Sequence, residues 1–459
     1  MDGNTPVKGN KAQKAVQGVI YFIIVLYPLI LFRADLGGIQ IQSLLLLVAA
    51  MGALLYSFLL IHKNEWEFRR QYQRVDLAFM ALMGYEFFRV IWKMLFADGE
   101  SSISYDWEVL IISLSVVYLI CSVNVVFDKT YFDALIFSGL IVFGCLLFHF
   151  LCGSGMDAIL AVMAQDKYAT ASYILLVCII SLYQYCRCRD KMRSCFYVGT
   201  SVVGYLVLFL NHSVLSIWLM ALVFIGLPMW IRPTAELIKR DMQLFFLYAF
   251  LLSNMSLLTE YTGLVRTEVS FSLEQSVYLD LMLAAGGIWF FNSWDKIPEG
   301  VDPERLVLRK MKRGYQFLLK TLTIIFAGFL IGGVHWKSLP DGMAMSALKG
   351  FAVPLVEEVQ GTKSFFYMVI EEQGVTGGIL ILILCSLATA RLKRNYSYDK
   401  PDTGIMVLLS TLFLLQMLFW KMSINTLPIY FVFLAFAILY KEERERVSST
   451  KIKFEREEN

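Results

Sequence analysis

Apolar residues in this chain come in long runs separated by short polar stretches. The runs are roughly 16–24 residues long, the length of helix that crosses the hydrocarbon core of a bilayer. Lipid offers no partner to an unpaired backbone group, so each run predicts a helix. The pattern divides into about fourteen blocks, at 17–33, 41–62, 75–96, 108–127, 132–152, 168–185, 195–211, 214–231, 244–258, 276–293, 317–334, 365–390, 404–420 and 426–440. The expected fold is therefore an all-α polytopic integral membrane protein of about 12–14 transmembrane helices. It forms a single transmembrane domain over 1–459, with a long loop at 335–364 before the last three spans and a charged tail at 441–459.

The polar stretches set the orientation. Lys63 to Arg74, Arg187 to Arg193, Arg232 to Arg240, Lys296 to Arg313 and Arg391 to Lys400 are basic, and the loops between them carry almost no Lys or Arg. The N-terminal segment adds Lys8, Lys11 and Lys14. Basic loops stay on the cytoplasmic side, so both termini are expected there, as an even span count also requires. The expected location is the cytoplasmic membrane, as a multi-pass protein. The first block has no small-residue cleavage site and a second span follows at once, which reads as an anchor rather than a cleavable signal.

Composition agrees with the pattern. Of 459 residues 58% are hydrophobic and only 17% charged, whereas a soluble domain is about 25% charged. The eight cysteines fall mostly inside spans, as small hydrophobes, and the four histidines are scattered, so neither type supplies metal-ligand spacing. No Walker loop, dinucleotide fingerprint or zinc-protease helix is present, and no cofactor or nucleic-acid partner is expected. Matching Gly- or Pro-broken spans in two halves, a mark of secondary transporters, are not evident.

Chemistry is thus expected on the outer face, where loops of useful length lie at 97–107, 259–275 and 335–364. The last mixes His335, Trp336, Lys337, Asp341, Lys349, Phe351, Leu355, Glu357, Glu358 and Lys363. It reads either as short amphipathic helices on the membrane surface or as a solvated connector. Within the third span Glu86, Arg89 and Lys93, spaced by three and four, share one helix face. They either line a cavity for a polar headgroup or pair structurally, with Arg89 and Lys93 near enough to the outer end to snorkel. Trp92 and Trp107 suit the interfacial aromatic belt.

The segment from Lys363 to Leu382 reads KSFFYMVIEEQGVTGGILIL. It resembles the segment that closes the long periplasmic loop of O-antigen ligases and O-antigen polymerases, where an aromatic-aliphatic helix start leads into Glu-x-Gly-x-x-Gly. Glu372, Gly374 and Gly377 fall on that spacing, with Phe366 near the aromatic position. A carboxylate at a membrane entry needs a partner, and the two glycines allow close approach of a neighbouring helix. Two further stretches are similar to the family in the same order: Lys167 to Leu176 (KYATASYILL) at a span entry, and Leu210 to Ser213 (LNHS) at a tight outer turn. The resemblance covers the middle-to-end part of the chain. It departs at three places: Asn211, His212 and Ser213 stand where the family carries Ser-Arg-Gly, Lys363 and Ser364 stand where it carries His-Asn, and one or two spans' worth of extra material lies between the turn and the long loop.

The resemblance implies glycosyl transfer from a polyprenyl-diphosphate-linked sugar to an acceptor glycan at the outer face, as polymerase or ligase. The implied partners are the polyprenyl-diphosphate-linked oligosaccharide, membrane lipid and other polysaccharide assembly proteins. Arg266, Lys363 and Arg89 are the expected diphosphate contacts, since guanidinium and ammonium groups bind phosphate. His212 or Glu372 is the expected base for the acceptor hydroxyl. Each has a plainer alternative. Arg266, flanked by Glu260, Glu268 and Glu274, also reads as an exposed ion pair, and His212 as an interfacial residue. Two other functions stand beside this one: a transporter of a lipid-linked or small polar solute, and a non-catalytic member of an assembly complex.

Overall fold

A computed structural model describes residues 10–29, 40–62, 74–96, 105–124, 127–152, 167–211, 213–232, 234–262, 273–294, 365–397, 400–419 and 426–439. Regular structure in these residues is helical, with no strand. In chain order the helices are α1 (Asn10–Tyr21), α2 (Ile41–His62), α3 (Arg74–Phe96), α4 (Asp106–Asn124), α5 (Thr130–Cys152), α6 (Lys167–Arg187) and α7 (Lys191–Leu210). Then follow α8 (Val214–Trp230), α9 (Ala235–Thr262), α10 (Leu273–Trp294), α11 (Phe365–Asn395), α12 (Pro401–Phe419) and α13 (Leu427–Leu439). Every expected span coincides with one of them except 317–334, which lies outside the described residues.

The chain is a helical membrane protein. Among the described residues 5 helices are long and apolar enough to cross a bilayer: Ile41–Leu59, Thr130–Phe150, Lys167–Arg187, Lys191–Leu210 and Tyr367–Asn395. Shorter apolar helices accompany them, at Lys14–Leu29, Val214–Trp230, Ser276–Asn292, Pro401–Met417 and Leu427–Leu439.

The centre of the bundle is α6 and α13. In the apolar window of α6, 89% of residues are buried, and all of α13 is buried. Between helices in lipid the attraction comes from close packing and from polar contacts rather than from exclusion of water. Small residues bring the central helices together: a Cβ on Gly204 of α7 would stand 2.5 Å from Cys178 Sγ of α6 and 2.8 Å from Phe143 of α5. Aromatic rings fill the rest of the interior. Phe433 of α13 stacks on Phe132 of α5 at 5.8 Å, and Phe431 meets Phe79 of α3 edge-on at 5.5 Å.

Proline shapes the first element. α1 continues through a π-turn at Phe22–Leu26 into a 3₁₀ turn at Tyr27–Leu29. Pro28 has no N–H and its ring crowds the carbonyl four residues back, so the ladder widens ahead of it. The Val25 carbonyl accepts a 3.0 Å hydrogen bond from Ser138 of α5.

Ionic contacts between helices gather at two ends of the bundle. At one end Arg187 of α6 reaches Asp402 of α12, Lys129 lies 3.8 Å from the same carboxylate, and Arg240 of α9 donates to the carbonyls of Tyr185 and Cys188 at the end of α6. At the other end the C-terminal part of α3 meets the starts of α4 and α11, and Asn211, just past α7, donates to the Lys167 carbonyl at 2.7 Å.

Candidate functional site

The second end carries the candidate site. On α3, Val75, Phe79, Leu82 and Glu86 are buried at helical spacing. Arg89 and Lys93 continue that stripe toward the end of the helix, so an apolar seam turns ionic over its last two turns. Tyr105 and Trp107 lead into α4, whose first turn supplies Glu108. The Glu108 side chain is 2% exposed and lies 3.1 Å from Arg89 and 2.7 Å from Lys93. Glu86, 0% exposed, lies 3.6 Å from Arg89. These two carboxylates and two cations balance in formal charge, as buried charges must to persist. The Lys93 ammonium also stands 5.7 Å from the Tyr105 ring centroid.

α11 completes the site by breaking. Gly374 adopts φ 72° and ψ 176°, a region that essentially only glycine occupies, and the helical ladder is interrupted there. Carbonyls just before a break lose their partners within the helix. Two are taken up by α3: Tyr85 Oη donates to the Gln373 carbonyl at 2.7 Å, and Arg89 Nη2 donates to the Glu372 carbonyl at 2.5 Å. Arg89 thus ties α3, α4 and α11 together. Phe365, at the start of α11, packs edge-on against Trp107 at 5.9 Å.

Five buried polar atoms at this junction have no hydrogen-bond partner among the described residues. They are both Glu86 carboxylate oxygens, Arg89 Nη1, and the Gln373 side-chain oxygen and nitrogen. Gln373 is 3% exposed, and its side chain lies over Gly377, beside the Tyr85 ring. Gly374 itself has open space where a Cβ would stand. One turn below Glu86 on α3 and below Gly377 on α11, Leu82 and Ile381 line an apolar crevice of about 80 Å³ that Phe365, Phe431 and Cys385 help to close.

The expected site residues are distributed as follows. Arg89 and Glu372 come together, but through the Glu372 backbone carbonyl, while its carboxylate-bearing side chain is exposed. A diphosphate at Arg89 would have to share the guanidinium with Glu108 or displace it. His212, Arg266 and Lys363 lie outside the described residues. The two glycines of the motif divide their tasks. Gly377 lets α11 approach Tyr85, as expected, whereas Gly374 is a break rather than a close contact.

Comparison with known proteins returns no matching family model, no matching curated protein and no matching solved structure. The site must be read from its own chemistry.

Three of its members escaped the sequence reading. Glu108 sits at the very start of a span, where an acidic residue reads as a helix-start preference. Tyr85 and Gln373 carry no motif of their own. A buried network of Ser172, Gln416 and Tyr430 joins α6, α12 and α13: Ser172 donates to Gln416, and Tyr430 donates to the Ser172 carbonyl at 2.7 Å. Gln416 inside an apolar block was the available signal for it. No group of three or more metal-ligating side chains occurs among the described residues.

Proposed function

We propose that the protein transfers a glycosyl group from a polyprenyl-diphosphate-linked sugar to an acceptor glycan, as a polymerase or ligase of cell-surface polysaccharide. The site lies at the outer face of the cytoplasmic membrane, and both termini lie in the cytoplasm. The observation that carries this reading is the ionic junction of α3, α4 and α11 at one end of the bundle, built around the break in the Glu372-x-Gly374 segment and placed directly beside an apolar crevice. A polyprenyl diphosphate is itself an anionic head on an apolar chain.

In this reaction an acceptor hydroxyl attacks the anomeric carbon, the bond from that carbon to the diphosphate oxygen breaks, and polyprenyl diphosphate leaves. Lys93, Arg266 and Lys363 stabilise the charge that grows on the leaving diphosphate. Glu372 or His212 takes the acceptor proton. Arg89, held on three sides, keeps the junction assembled and offers the charge it has left.

The test is surface glycan length and amount in a deletion strain complemented with wild type, Arg266→Ala, Lys363→Ala or Glu372→Gln, with protein levels measured by blot. Loss of polymer at unchanged protein level is expected for at least one variant. Full rescue by all three overturns this site.

One observation favours a transporter instead. α9 and α10 flank a groove of about 800 Å³ that contains Asp280, whose carboxylate accepts hydrogen bonds from Ser253 and Asn254. An ionisable residue inside a span is a hallmark of a solute pathway. Asp280→Asn separates the two readings: a transporter loses function, and the glycosyltransferase keeps its polymer.

A further inference from the structure

The polar atoms at the α11 break that make no hydrogen bond differ in kind from those of an anion or cation site, although Glu86 and Arg89 Nη1 face each other as an ion pair at 3.6 Å. Glu86 offers two acceptors and Gln373 one, while Arg89 Nη1 and the Gln373 amide nitrogen are donors. Phosphate and sulfate only accept hydrogen bonds and would meet the Glu86 carboxylate. A metal ion or an ammonium group satisfies acceptors alone and would meet the Arg89 guanidinium. A hydroxyl group both donates and accepts, and adjacent hydroxyls on one ring fill a mixed set of this kind.

Charge points the same way. Glu86 and Arg89 Nη1 offset each other, so a neutral ligand at these two groups leaves their balance intact. Burial supplies the reason for occupancy, because polar groups at 0% and 3% exposure are costly without a partner. The break at Gly374 is exposed, with nothing within 4 Å of a Cβ built there, and Gln373 is buried one residue away.

We infer that the α11 break is a sugar subsite, in which Glu86, Arg89 Nη1 and the Gln373 side chain bind neighbouring hydroxyl groups of a single sugar ring. The inference rests on the proposed function and deepens it: the ring is the one nearest the diphosphate of the lipid-linked donor. Glu86 and Gln373 then select the sugar, while the cationic residues hold the diphosphate. Both are binding groups, distinct from the base that takes the acceptor proton.

The experiment measures binding of short-chain probes to the purified full chain in detergent. The probes are farnesyl diphosphate and farnesyl diphosphate carrying glucose, galactose, N-acetylglucosamine, N-acetylgalactosamine or rhamnose. At least one sugar-bearing probe is expected to bind about tenfold more tightly than bare farnesyl diphosphate, the effect of one good hydrogen bond to a charged group. Glu86→Gln and Gln373→Leu are each expected to remove most of that preference; Gln373→Leu leaves the affinity for bare farnesyl diphosphate unchanged, and Glu86→Gln, which frees Arg89 charge, does not weaken it. Should Glu86→Gln fail to fold, Gln373→Leu carries the comparison alone. If wild type binds bare and sugar-bearing probes equally, the subsite is overturned and the diphosphate reading stands. A sugar preference that survives in the folded variants also overturns the subsite, since the junction then holds ordered water only. Binding of none of the probes removes the proposed function and the subsite with it.

Discussion

Where α6 meets α12, Arg187 Nη1 donates to Asp402 at 2.7 Å and to Tyr183 Oη at 2.5 Å, Tyr183 donates to Asp402 at 2.6 Å, and Lys129 adds a second cation. None of these side chains has a buried atom left without a partner. Arg187 is 32% exposed and Asp402 13%, so water reaches both. At the opposite end Arg89 also bridges helices through carboxylates, yet Glu86 is 0% exposed and neither of its oxygens accepts a hydrogen bond, its Arg89 ion pair being 3.6 Å long. Both clusters pin helix ends. The first closes its hydrogen-bonding valences, and the second leaves them open behind a helix break. A pure staple gains nothing from unsatisfied buried groups, which cost about 1–3 kcal/mol each.

The largest effect that separates the two ends is expected from Arg89→Ala. It removes the ion-pair partner of the buried Glu86 and the donor to the Glu372 carbonyl. Breaking a buried pair on one side costs about 3–5 kcal/mol. Thermal unfolding of the purified protein in detergent reads the loss. A cost as small as that of Arg187→Ala would mean that the two clusters are alike after all.

Next come two glycines whose substitutions fail for different reasons. At Gly374 a methyl group meets open space, but its backbone lies where other residues are strained, a cost of about 1–3 kcal/mol. At Gly204 the backbone is ordinary helix, but the methyl group collides with Cys178 and Phe143, and overpacking costs about 1–3 kcal/mol. Cys178→Ala should therefore rescue Gly204→Ala in part, whereas no neighbouring truncation should rescue Gly374→Ala. Unfolding midpoints of the singles and doubles check this.

Arg187→Ala is smaller again. Asp402 keeps Tyr183, Lys129 and access to water, so the loss is about 1.5 kcal/mol, one hydrogen bond to a charged group. Polymer or solute function should survive it, which sharpens the contrast with the junction at the other end.

The spans were legible because lipid imposes one rule on every helix. The expected 41–62 is α2 to the residue, and 214–231 differs from α8 by one. The errors fall where charge was read as loop. α9 begins at Ala235 rather than 244, since Arg240 pairs with Glu236 at 2.6 Å and donates to the carbonyls of Tyr185, in α6, and Cys188, just past it, so its charge stays inside the fold. Likewise α7 starts at Lys191, because Asp190 caps it by accepting from the Met192 N–H at 3.1 Å. In the site, the spacing of Glu86, Arg89 and Lys93 was legible because it is local to one helix. The roles of Glu108, Tyr85 and Gln373 were not, because each depends on a neighbour distant in sequence. Gly374 was visible as a motif position, but a left-handed break leaves no trace in composition.

The smallest stability effect, and the most discriminating, belongs to Glu86→Gln. The substitution keeps the shape of the side chain and removes a buried charge that no described donor satisfies. Arg89 retains Glu108 and the Glu372 carbonyl, so α3, α4 and α11 remain tied. The carboxamide still offers an oxygen toward Arg89, the lost contact is a long 3.6 Å one, and Glu108 still offsets the guanidinium, so unfolding is expected to shift by less than about 1 kcal/mol. A staple residue would show the reverse pattern, with a clear loss of stability and no change in ligand preference. The measurement is the same thermal unfolding series, read beside the sugar preference of the variant. A Glu86→Gln protein that unfolds as easily as Arg89→Ala would place Glu86 with the scaffold, and the two ends of the bundle would then differ only in depth.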